Sequence, residues 1–467
     1  MKLKKVNNLL KDTFWYTFGD VLTHVSALVL VPIYTYLLSK EDFGIISLMI
    51  LFYTASKFII SFSIKTSYYR LIFECSKEER RELSFSAFLN SSILSIVLII
   101  FLELLKYYKL KTFGLDLIYY DYLQIVFLAS WLYTINEIAL SLYKYYNKSK
   151  IFALVNTLRV IIEILSFYLL LNYGSDAVES KFYGLVIAFM LSISIHLLFG
   201  LKKEFVLRYN KNLSKKLLKF SIPLVFNELI GWSLVSIDQL IYQSFYGLEK
   251  LAILALGIQV ISTFKYGMEG ILKAVNNKIF HTKNKIKIYA NPVLLFFINL
   301  FTLGGALLII FEKQIITILG NNKYDESITV IHYFIIPKFL LLITTIIIFY
   351  LLAEKKNKEI LYGTIISFIL MLMLSPILIP EFGVFGAATS SFVSILVRLI
   401  FLIIIINQSV PLKLFKVFKT VTISVGLILI ITLLNEYLFF QLLIFIIYST
   451  YLYFTERDGL KVIISKV

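Results

Sequence analysis

Residues 54–65 of the chain read TASKFIISFSIK, and residues 262–273 read STFKYGMEGILK. Each stretch places a lysine, Lys57 or Lys265, inside an apolar run, and a second lysine follows eight residues later, at Lys65 or Lys273. A charge at the centre of a membrane span costs about 2.5–3.5 kcal/mol on insertion scales. Because this costly arrangement of lysines occurs twice, we interpret it as a duplicated feature. It serves either to form ion pairs or to carry out a function.

The similarity extends beyond these lysines to a long internal repeat. Residues 11–73 align without a gap on residues 219–281, an offset of 208 positions, with ten identities. Charges of the same sign coincide at six aligned positions, and four of these pairs are Asp20 and Glu228, Lys57 and Lys265, Lys65 and Lys273, and Arg70 and Lys278. The same offset places Asn147–Lys150 on Lys355–Lys358. Parallel repeats of this kind occur in secondary transporters, with the substrate path at the repeat interface.

The composition is that of a membrane protein. Of the 467 residues, 59% are hydrophobic and 16% are charged, and the mean hydropathy is +0.83. A bilayer core requires about 20 consecutive apolar residues, and windows of this length lie near 13–38, 43–66, 83–105, 117–142, 151–172, 182–201, 219–244, 251–273, 289–311, 327–352, 360–380, 384–406, 416–434 and 437–454. We therefore predict an all-α polytopic membrane protein with about 14 transmembrane helices.

The net charge of +17 is explained by topology. If the N-terminus is cytoplasmic, Lys and Arg are about four times more frequent in the cytoplasmic segments than in the outer ones, as the positive-inside rule requires. Both termini are then cytoplasmic, the lipid bilayer is the main partner, and no nucleic-acid partner is predicted. The single cysteine, Cys75, excludes an internal disulfide and a cysteine metal cluster.

The repeat divides the chain into three predicted segments. They are an N-lobe with spans 1–6 at residues 1–215, a C-lobe with spans 7–12 at 216–409, and two accessory spans with a cytoplasmic tail at 410–467. Six spans separate the copies, an even number, so the two six-helix lobes are parallel. No loop is long enough for an enzymatic domain, and phosphate-loop, H-E-x-x-H and G-x-S-x-G signatures do not occur. We predict no enzyme, no catalytic residue, no metal site and no cofactor.

Charged residues recur at one depth in the predicted spans. Six lie eight or nine residues from the cytoplasmic end, which corresponds to about 12–14 Å at 1.5 Å per residue, and they are Asp20, Lys57, Arg159, Glu228, Lys265 and Arg398. In a structural interpretation these charges pair, Asp20 with Lys57 and Glu228 with Lys265, and Arg159–Glu163 and Lys265–Glu269 are additional i,i+4 pairs. In a functional interpretation the basic residues, with Lys338, form a wall for an anionic lipid headgroup.

The functional interpretation names two sets of candidates. The predicted substrate-binding residues are Lys57, Lys265, Arg159 and Arg398, with Lys65 and Lys273 nearer the cytoplasm. The predicted coupling or gating residues are Asp20, Glu228 and Asp238, because a buried carboxylate can exchange a proton during a transport cycle. The sequence leaves the choice between pairing and substrate binding open.

Three segments carry a resemblance to a known family. They are LVPIYTYLLSKEDFG at Leu30–Gly44, FSIPL at Phe220–Leu224 followed by Asp238, and FGVFGAATS at Phe382–Ser390. They resemble the end of span 1, span 7 and the start of span 12 in the Wzx-type oligosaccharide flippases of the multidrug/oligosaccharidyl-lipid/polysaccharide (MOP) exporter superfamily. The resemblance implies two MATE-like lobes plus two C-terminal helices. One departure is Gln239, which follows Asp238 where relatives often carry arginine.

The resemblance also implies a function. An undecaprenyl-pyrophosphate-linked oligosaccharide repeat unit would move by alternating access from the inner to the outer leaflet of the bacterial cytoplasmic (inner) membrane. It would serve O-antigen (lipopolysaccharide), capsule or exopolysaccharide synthesis. H+ or Na+ would be the coupling ion, and a polymerase and glycosyltransferases would be functional partners. The alternatives are a lipid II flippase, a multidrug/cation antiporter of the same superfamily, and a polytopic O-antigen polymerase or ligase.

Overall fold

A computed structural model describes Trp15, Gly19 and residues 28–108, 119–198, 204–279, 283–435 and 437–464. Within these ranges nothing is described of the side chains of Lys65 and residues 270–271, 273–279, 283–288 and 453–464. All regular secondary structure in the described part of the chain is helical. The prediction of an all-α fold is therefore confirmed for these residues.

Fourteen helices follow one another along the described chain. They are α1 Leu28–Leu37, α2 Lys40–Ser61, α3 Ile64–Leu71, α4 Lys77–Tyr107, α5 Tyr119–Tyr145, α6 Ser149–Asn172, α7 Ala177–Leu198, α8 Lys211–Ile279, α9 Lys283–Ile310, α10 Glu312–Gly320, α11 Ser327–Ala353, α12 Asn357–Asn407, α13 Leu414–Leu433 and α14 Leu438–Ile464. Ten helical segments of the described residues are long and apolar enough to cross a membrane. The shorter α1 and Leu438–Leu452 are also apolar.

Two of the helices are each long enough for two spans. At 1.5 Å per residue α8 would measure roughly 100 Å and α12 roughly 75 Å, against about 30 Å of hydrocarbon. Both are interrupted at a glycine, Gly247 with φ 81° and ψ −178°, and Gly383 with φ 56° and ψ −127°. A residue with a Cβ rarely adopts these angles. With α8 and α12 each divided at its glycine and the two short apolar helices added, the described residues contain fourteen apolar helical segments, the predicted number. Of the first predicted window, 13–38, the structure describes Trp15, Gly19 and residues 28–38.

The helix starts follow from local capping. The Ser39 side chain accepts a hydrogen bond from the Asp42 amide at 3.1 Å and begins α2, and Ser76 with Glu79 forms a capping box that begins α4. Span 2, by contrast, is broken between α2 and α3, where Phe62 and Ser63 are both left-handed. This conformation costs L-residues roughly 1–2 kcal/mol each, so tertiary contacts must hold the break in place.

The chain forms two compact units. Unit 1 comprises Met1–Leu30 and Leu38–Ser236, and unit 2 comprises Val31–Leu37 and Ile237–Val467. In unit 1, α5 packs against α2, α4 and α7, and α6 packs against α7. In unit 2, α9 packs against α11, α13 and α14, and α11 packs against α12. The lobe boundaries expected at residues 215 and 409 remain a prediction.

The backbone has the same geometry in both copies of the internal repeat at the turns that precede α6 and α12. Asn147, between α5 and α6, is left-handed with φ 55°, and Lys355, 208 residues later, is left-handed with φ 61°. The helix-capping residues that follow have nearly the same angles, φ −91° and ψ 57° at Lys148 and φ −88° and ψ 54° at Lys356. In both copies the capping amide donates to the carbonyl five residues before it at 2.9 Å. The two helix reversals therefore have the same geometry.

Candidate functional site: buried charges in two units

The interior of unit 1 contains a carboxylate shared by two cations, Arg159 and Glu163 on α6 and Lys181 on α7, hereafter the Glu163 cluster. Arg159 Nη1 donates to Glu163 Oε2 at 2.9 Å, and Lys181 Nζ donates to Oε1 at 2.6 Å. The three side chains are only 6–8% exposed. Each carboxylate oxygen therefore has its own cation, and burial strengthens both bonds.

The position of Lys181 explains why sequence reasoning missed it. The residue is near the first turn of α7, at the end of its span opposite to the layer of predicted charges. Its four-carbon side chain reaches Glu163 because α6 and α7 pack closely together. The predicted i,i+4 pair of Arg159 and Glu163 is present, but it is one half of a three-residue cluster.

Lys57 of α2 lies between two tyrosines. Its Nζ is 4.4 Å from the centroid of the Tyr53 ring and 5.1 Å from that of Tyr133 on α5. Aromatic faces attract a cation at such distances. Tyr53 also interacts electrostatically with Arg159 and Glu163, which places Lys57 in the same region of unit 1 as the Glu163 cluster. Asp20, the predicted partner of Lys57, lies outside the described residues.

Glu228 of α8 is bound to the break in span 2. Its carboxylate accepts a hydrogen bond from Ser63 Oγ at 2.5 Å, and a second bond at 2.7 Å joins Ser221 of α8 to Ser67 of α3. These contacts help hold the left-handed residue Ser63. Lys265, the predicted partner of Glu228, belongs to unit 2 and donates to Glu269 at 3.0 Å instead.

In unit 2, the Asp238 carboxylate is buried and hydrogen-bonded. It accepts from Ser391 Oγ at 3.1 Å and from the backbone amide of Gln239 at 2.8 Å. Lys338 of α11, which is also buried, interacts electrostatically with Asp238 and with Lys265. No described carboxylate is within 4.0 Å of the Lys338 ammonium. The charges of Asp238 and Lys338 therefore attract each other without direct contact.

Arg398 lies in the second half of α12. It contacts a hydroxyl, whereas Arg159 contacts a carboxylate. Its Nη2 donates to Thr364 Oγ1, in the first half of α12, at 2.7 Å. Arg398 is 7% exposed, its Nε has no hydrogen-bond partner, and none of the described carboxylates forms an ion pair with it. A guanidinium has five N–H donors and keeps its charge in proteins, so the Nε–H of Arg398 is left without an acceptor among the described residues.

The remaining candidates are Lys65 in α3 and Lys273 in α8, whose side chains lie outside the described part of the chain. Among the described residues, no group of three or more His, Cys, Asp and Glu side chains could hold a metal ion. The described basic side chains can bind anionic groups, and a buried carboxylate can exchange a proton.

Comparisons with known proteins agree with this fold. A family model described as polysaccharide biosynthesis protein matches residues 9–276, more than half of the chain. No curated protein sequence matches the chain. Among solved structures, the chain is similar to the lipid II flippase MurJ in an inward closed conformation, with 16% identity, a TM-score of 0.76, and coverage of 95% of this chain and 99% of that chain.

Multidrug transporters share the fold at lower similarity. An inward-facing multidrug resistance MATE family transporter of the MOP superfamily has 13% identity and a TM-score of 0.57, with coverage of 86% of this chain and 94% of that chain. The Vibrio cholerae MATE transporter VcmN in the bent form has 14% identity and a TM-score of 0.51, with coverage of 86% and 97%. The expected MATE-like helical architecture is confirmed by these similarities.

Proposed function

Because the chain belongs to the polysaccharide biosynthesis protein family, we propose that this multi-pass membrane protein is a flippase for a lipid-linked oligosaccharide. Its substrate is an undecaprenyl-pyrophosphate-linked repeat unit for O-antigen, capsule or exopolysaccharide. The unit moves from the inner to the outer leaflet of the bacterial inner membrane. The fold shared with a lipid II flippase supports this assignment.

The observation that carries the proposal is positive charge held inside the membrane-spanning helices of both units. Arg398 is buried in unit 2 with a hydroxyl as its partner, and Lys57 lies against two aromatic rings in unit 1. Such charges are costly in a membrane and are usually associated with a substrate path. A pyrophosphate would accept bidentate hydrogen bonds from arginine and a mobile contact from lysine.

The buried pairs suggest how the cations become available. Arg159 is bonded to Glu163 and Lys265 to Glu269, so each must exchange a carboxylate for a phosphate to bind substrate. Lys65 and Lys273 would contact the headgroup nearer the cytoplasm. Asp20, Glu228 and Asp238 remain the proposed coupling or gating residues, with H+ or Na+ as the coupling ion.

Alternating access requires helices that bend. The breaks at Gly247, at Gly383 and at Phe62–Ser63 are positions where the backbone already departs from helical geometry. Discontinuous helices are common in transporters of this type. We assign these three breaks as bending points of the transport cycle.

A lipid II flippase is the second candidate, supported by similarity over nearly the whole chain to a protein that moves that lipid. The charge of the headgroup does not separate the two substrates, because both carry a pyrophosphate. A multidrug/cation antiporter is less consistent with the basic residues in the spans. A polymerase or ligase is less consistent with the transporter fold.

The proposal is tested by transfer of a labelled lipid-linked oligosaccharide across proteoliposome membranes, with lipid II measured in parallel. Lys57→Ala combined with Lys265→Ala should abolish transfer, because two contacts to a charged headgroup are each worth about 1.5–3 kcal/mol. Lys106→Ala is the control, since Lys106 is an exposed residue paired with Asp121. Unchanged transfer by the double variant would remove these lysines from the substrate path, and faster transfer of lipid II would favour the second candidate.

A further inference from the structure

Two buried donors in α12 have no partner among the described residues. They are Arg398 Nε and Ser394 Oγ. Ser394 is 0% exposed and lies one helical turn before Arg398, so both side chains are on the same face of the second half of α12. The facing residue Thr364, in the first half, already binds Arg398 through Nη2. Two polar groups without a described partner therefore lie on one buried helix face.

Among the described residues, no carboxylate forms an ion pair with the Arg398 guanidinium. Thr364 supplies a neutral oxygen, and the guanidinium cannot release its proton. The nearby acid Asp238, on α8, accepts a hydrogen bond from Ser391 of α12 and is balanced electrostatically by Lys338. Burying an ionised group without a counter-charge is strongly unfavourable, whereas a hydrogen-bonded counter-ion removes much of that cost.

We propose that Arg398 and Ser394 form a buried binding site for one small anion. The anion accepts hydrogen bonds from Arg398 Nε–H and Ser394 Oγ–H and supplies the negative charge that the described residues lack. A water molecule would satisfy the hydrogen bonds but would not neutralise the charge of the Arg398 guanidinium. The ligand chemistry fits either a free inorganic anion or a phosphate oxygen of a lipid headgroup, and the site does not depend on the protein being a flippase.

The test measures thermal unfolding of the purified full-length protein in detergent, with chloride replacing gluconate at constant ionic strength. The unfolding midpoint of the wild type should rise with chloride and saturate, as expected for a ligand that binds the folded state. Arg398→Met should abolish the rise. In gluconate alone this variant should be at least as stable as the wild type, because it removes an uncompensated charge.

Ser394→Ala distinguishes a binding site from a general salt effect. The loss of one hydrogen bond to a charged ligand should raise the half-saturating chloride concentration about tenfold. Ser424→Ala is the matched control, since Ser424 of α13 is also buried with an unsatisfied hydroxyl. It should respond to chloride as the wild type does. Arg159→Met should lower stability equally in both salts.

A second set of samples identifies the source of the anion. A short-chain polyprenyl diphosphate is added to the wild type and to Arg398→Met in gluconate. Stabilisation of the wild type by the diphosphate but not by chloride would support the site and assign it to a lipid phosphate. Equal midpoints in gluconate, chloride and diphosphate, or a full response in Arg398→Met, would overturn the proposal. Transfer of lipid-linked oligosaccharide by the wild type is measured separately, so either proposal can fail alone.

Discussion

Arg159 in unit 1 and Arg398 in unit 2 are the same residue type at the same predicted depth, yet their surroundings differ in kind. Arg159 binds a carboxylate that it shares with Lys181, while Arg398 binds the hydroxyl of Thr364. The position of an arginine within its predicted span therefore indicates that it is buried, but it does not indicate which group compensates its charge. A paired charge contributes to the fold, and an uncompensated one has capacity left for a ligand.

The largest effect should come from removing the shared carboxylate. Glu163→Gln leaves Arg159 and Lys181 buried together without their acid, which should cost about 3–5 kcal/mol of folding stability. The loss is measured as the shift in the unfolding midpoint of the purified protein. The control is Glu269→Gln, which affects a less buried pair with a single cation, Lys265. Equal losses of stability in the two variants would contradict the expected difference between the Glu163 cluster and the Lys265–Glu269 pair.

A smaller effect is expected at the hydroxyl that holds Arg398. Thr364→Val keeps the shape of the side chain and removes the 2.7 Å bond, which should cost about 1.5–3 kcal/mol because the donor is charged. Thr344→Val is the matched control, since its buried hydroxyl bonds a carbonyl of its own helix. The control should lose at most about 1 kcal/mol. If both variants lose the same stability, the Thr364 bond is not specific to the guanidinium.

The backbone that brings Thr364 opposite Arg398 can be tested at Gly383. Gly383→Ala forces a Cβ into a left-handed conformation and should cost about 1–3 kcal/mol. Gly426→Ala on α13 meets no atom within 4 Å and lies in a regular helix, so it should be neutral or stabilise by about 0.5–1 kcal/mol. The same unfolding assay compares the two. A neutral Gly383→Ala would show that α12 reaches this geometry without glycine.

The smallest expected effect concerns a second unsatisfied charge in unit 2, on the short helix α10. Glu312 accepts a hydrogen bond from His332 Nε2 at 2.7 Å, and its other oxygen is buried without a partner in the described part of the chain. Burial raises the pKa of Glu312 above its ordinary value, opposed by His332. The folded state therefore holds this proton more tightly than the unfolded state does. The resulting stability is complete below the ordinary carboxyl pKa and decreases as the pH rises through the raised pKa.

Glu312→Gln should remove that part of the pH dependence. The unfolding midpoint of the wild type, measured between about pH 4 and pH 8, should fall more with rising pH than that of the variant. Parallel curves would show that Glu312 does not titrate in this range. The test extends the contrast with Glu163, where both oxygens of the buried carboxylate are bonded to cations.

Much of the fold could be predicted because hydrophobic length is a strong local signal. The described residues contain fourteen apolar helical segments, as many as predicted. The adjacent pairs merged in α8 and α12 are separated by Gly247 and Gly383, between the predicted spans. The break at Phe62 and Ser63 was not predicted, because neither residue type marks a left-handed turn. Contacts such as Ser63 with Glu228 hold it, and they join residues 165 positions apart.

The candidate site was less predictable than the fold, because its side-chain partners are set by contacts between residues far apart in the sequence. Pairs spaced i,i+4, such as Arg159 with Glu163, follow from helix geometry alone. Lys181 and Thr364 were missed because their role depends on which helices pack together. A missing partner, as at Arg398 Nε and Ser394 Oγ, leaves no trace in the sequence.

The left-handed turns at Asn147 and Lys355 bear on how the two halves diverged. The turn geometry is common to both copies although the left-handed residue has changed from asparagine to lysine. The charges of the Glu163 cluster have no such counterpart, since the positions 208 residues after Arg159, Glu163 and Lys181 are Ser367, Met371 and Thr389. The helix reversals are thus shared by the two halves, whereas this buried cluster belongs to one half alone. Distant relatives should accordingly be aligned on their helix-reversing turns rather than on this cluster.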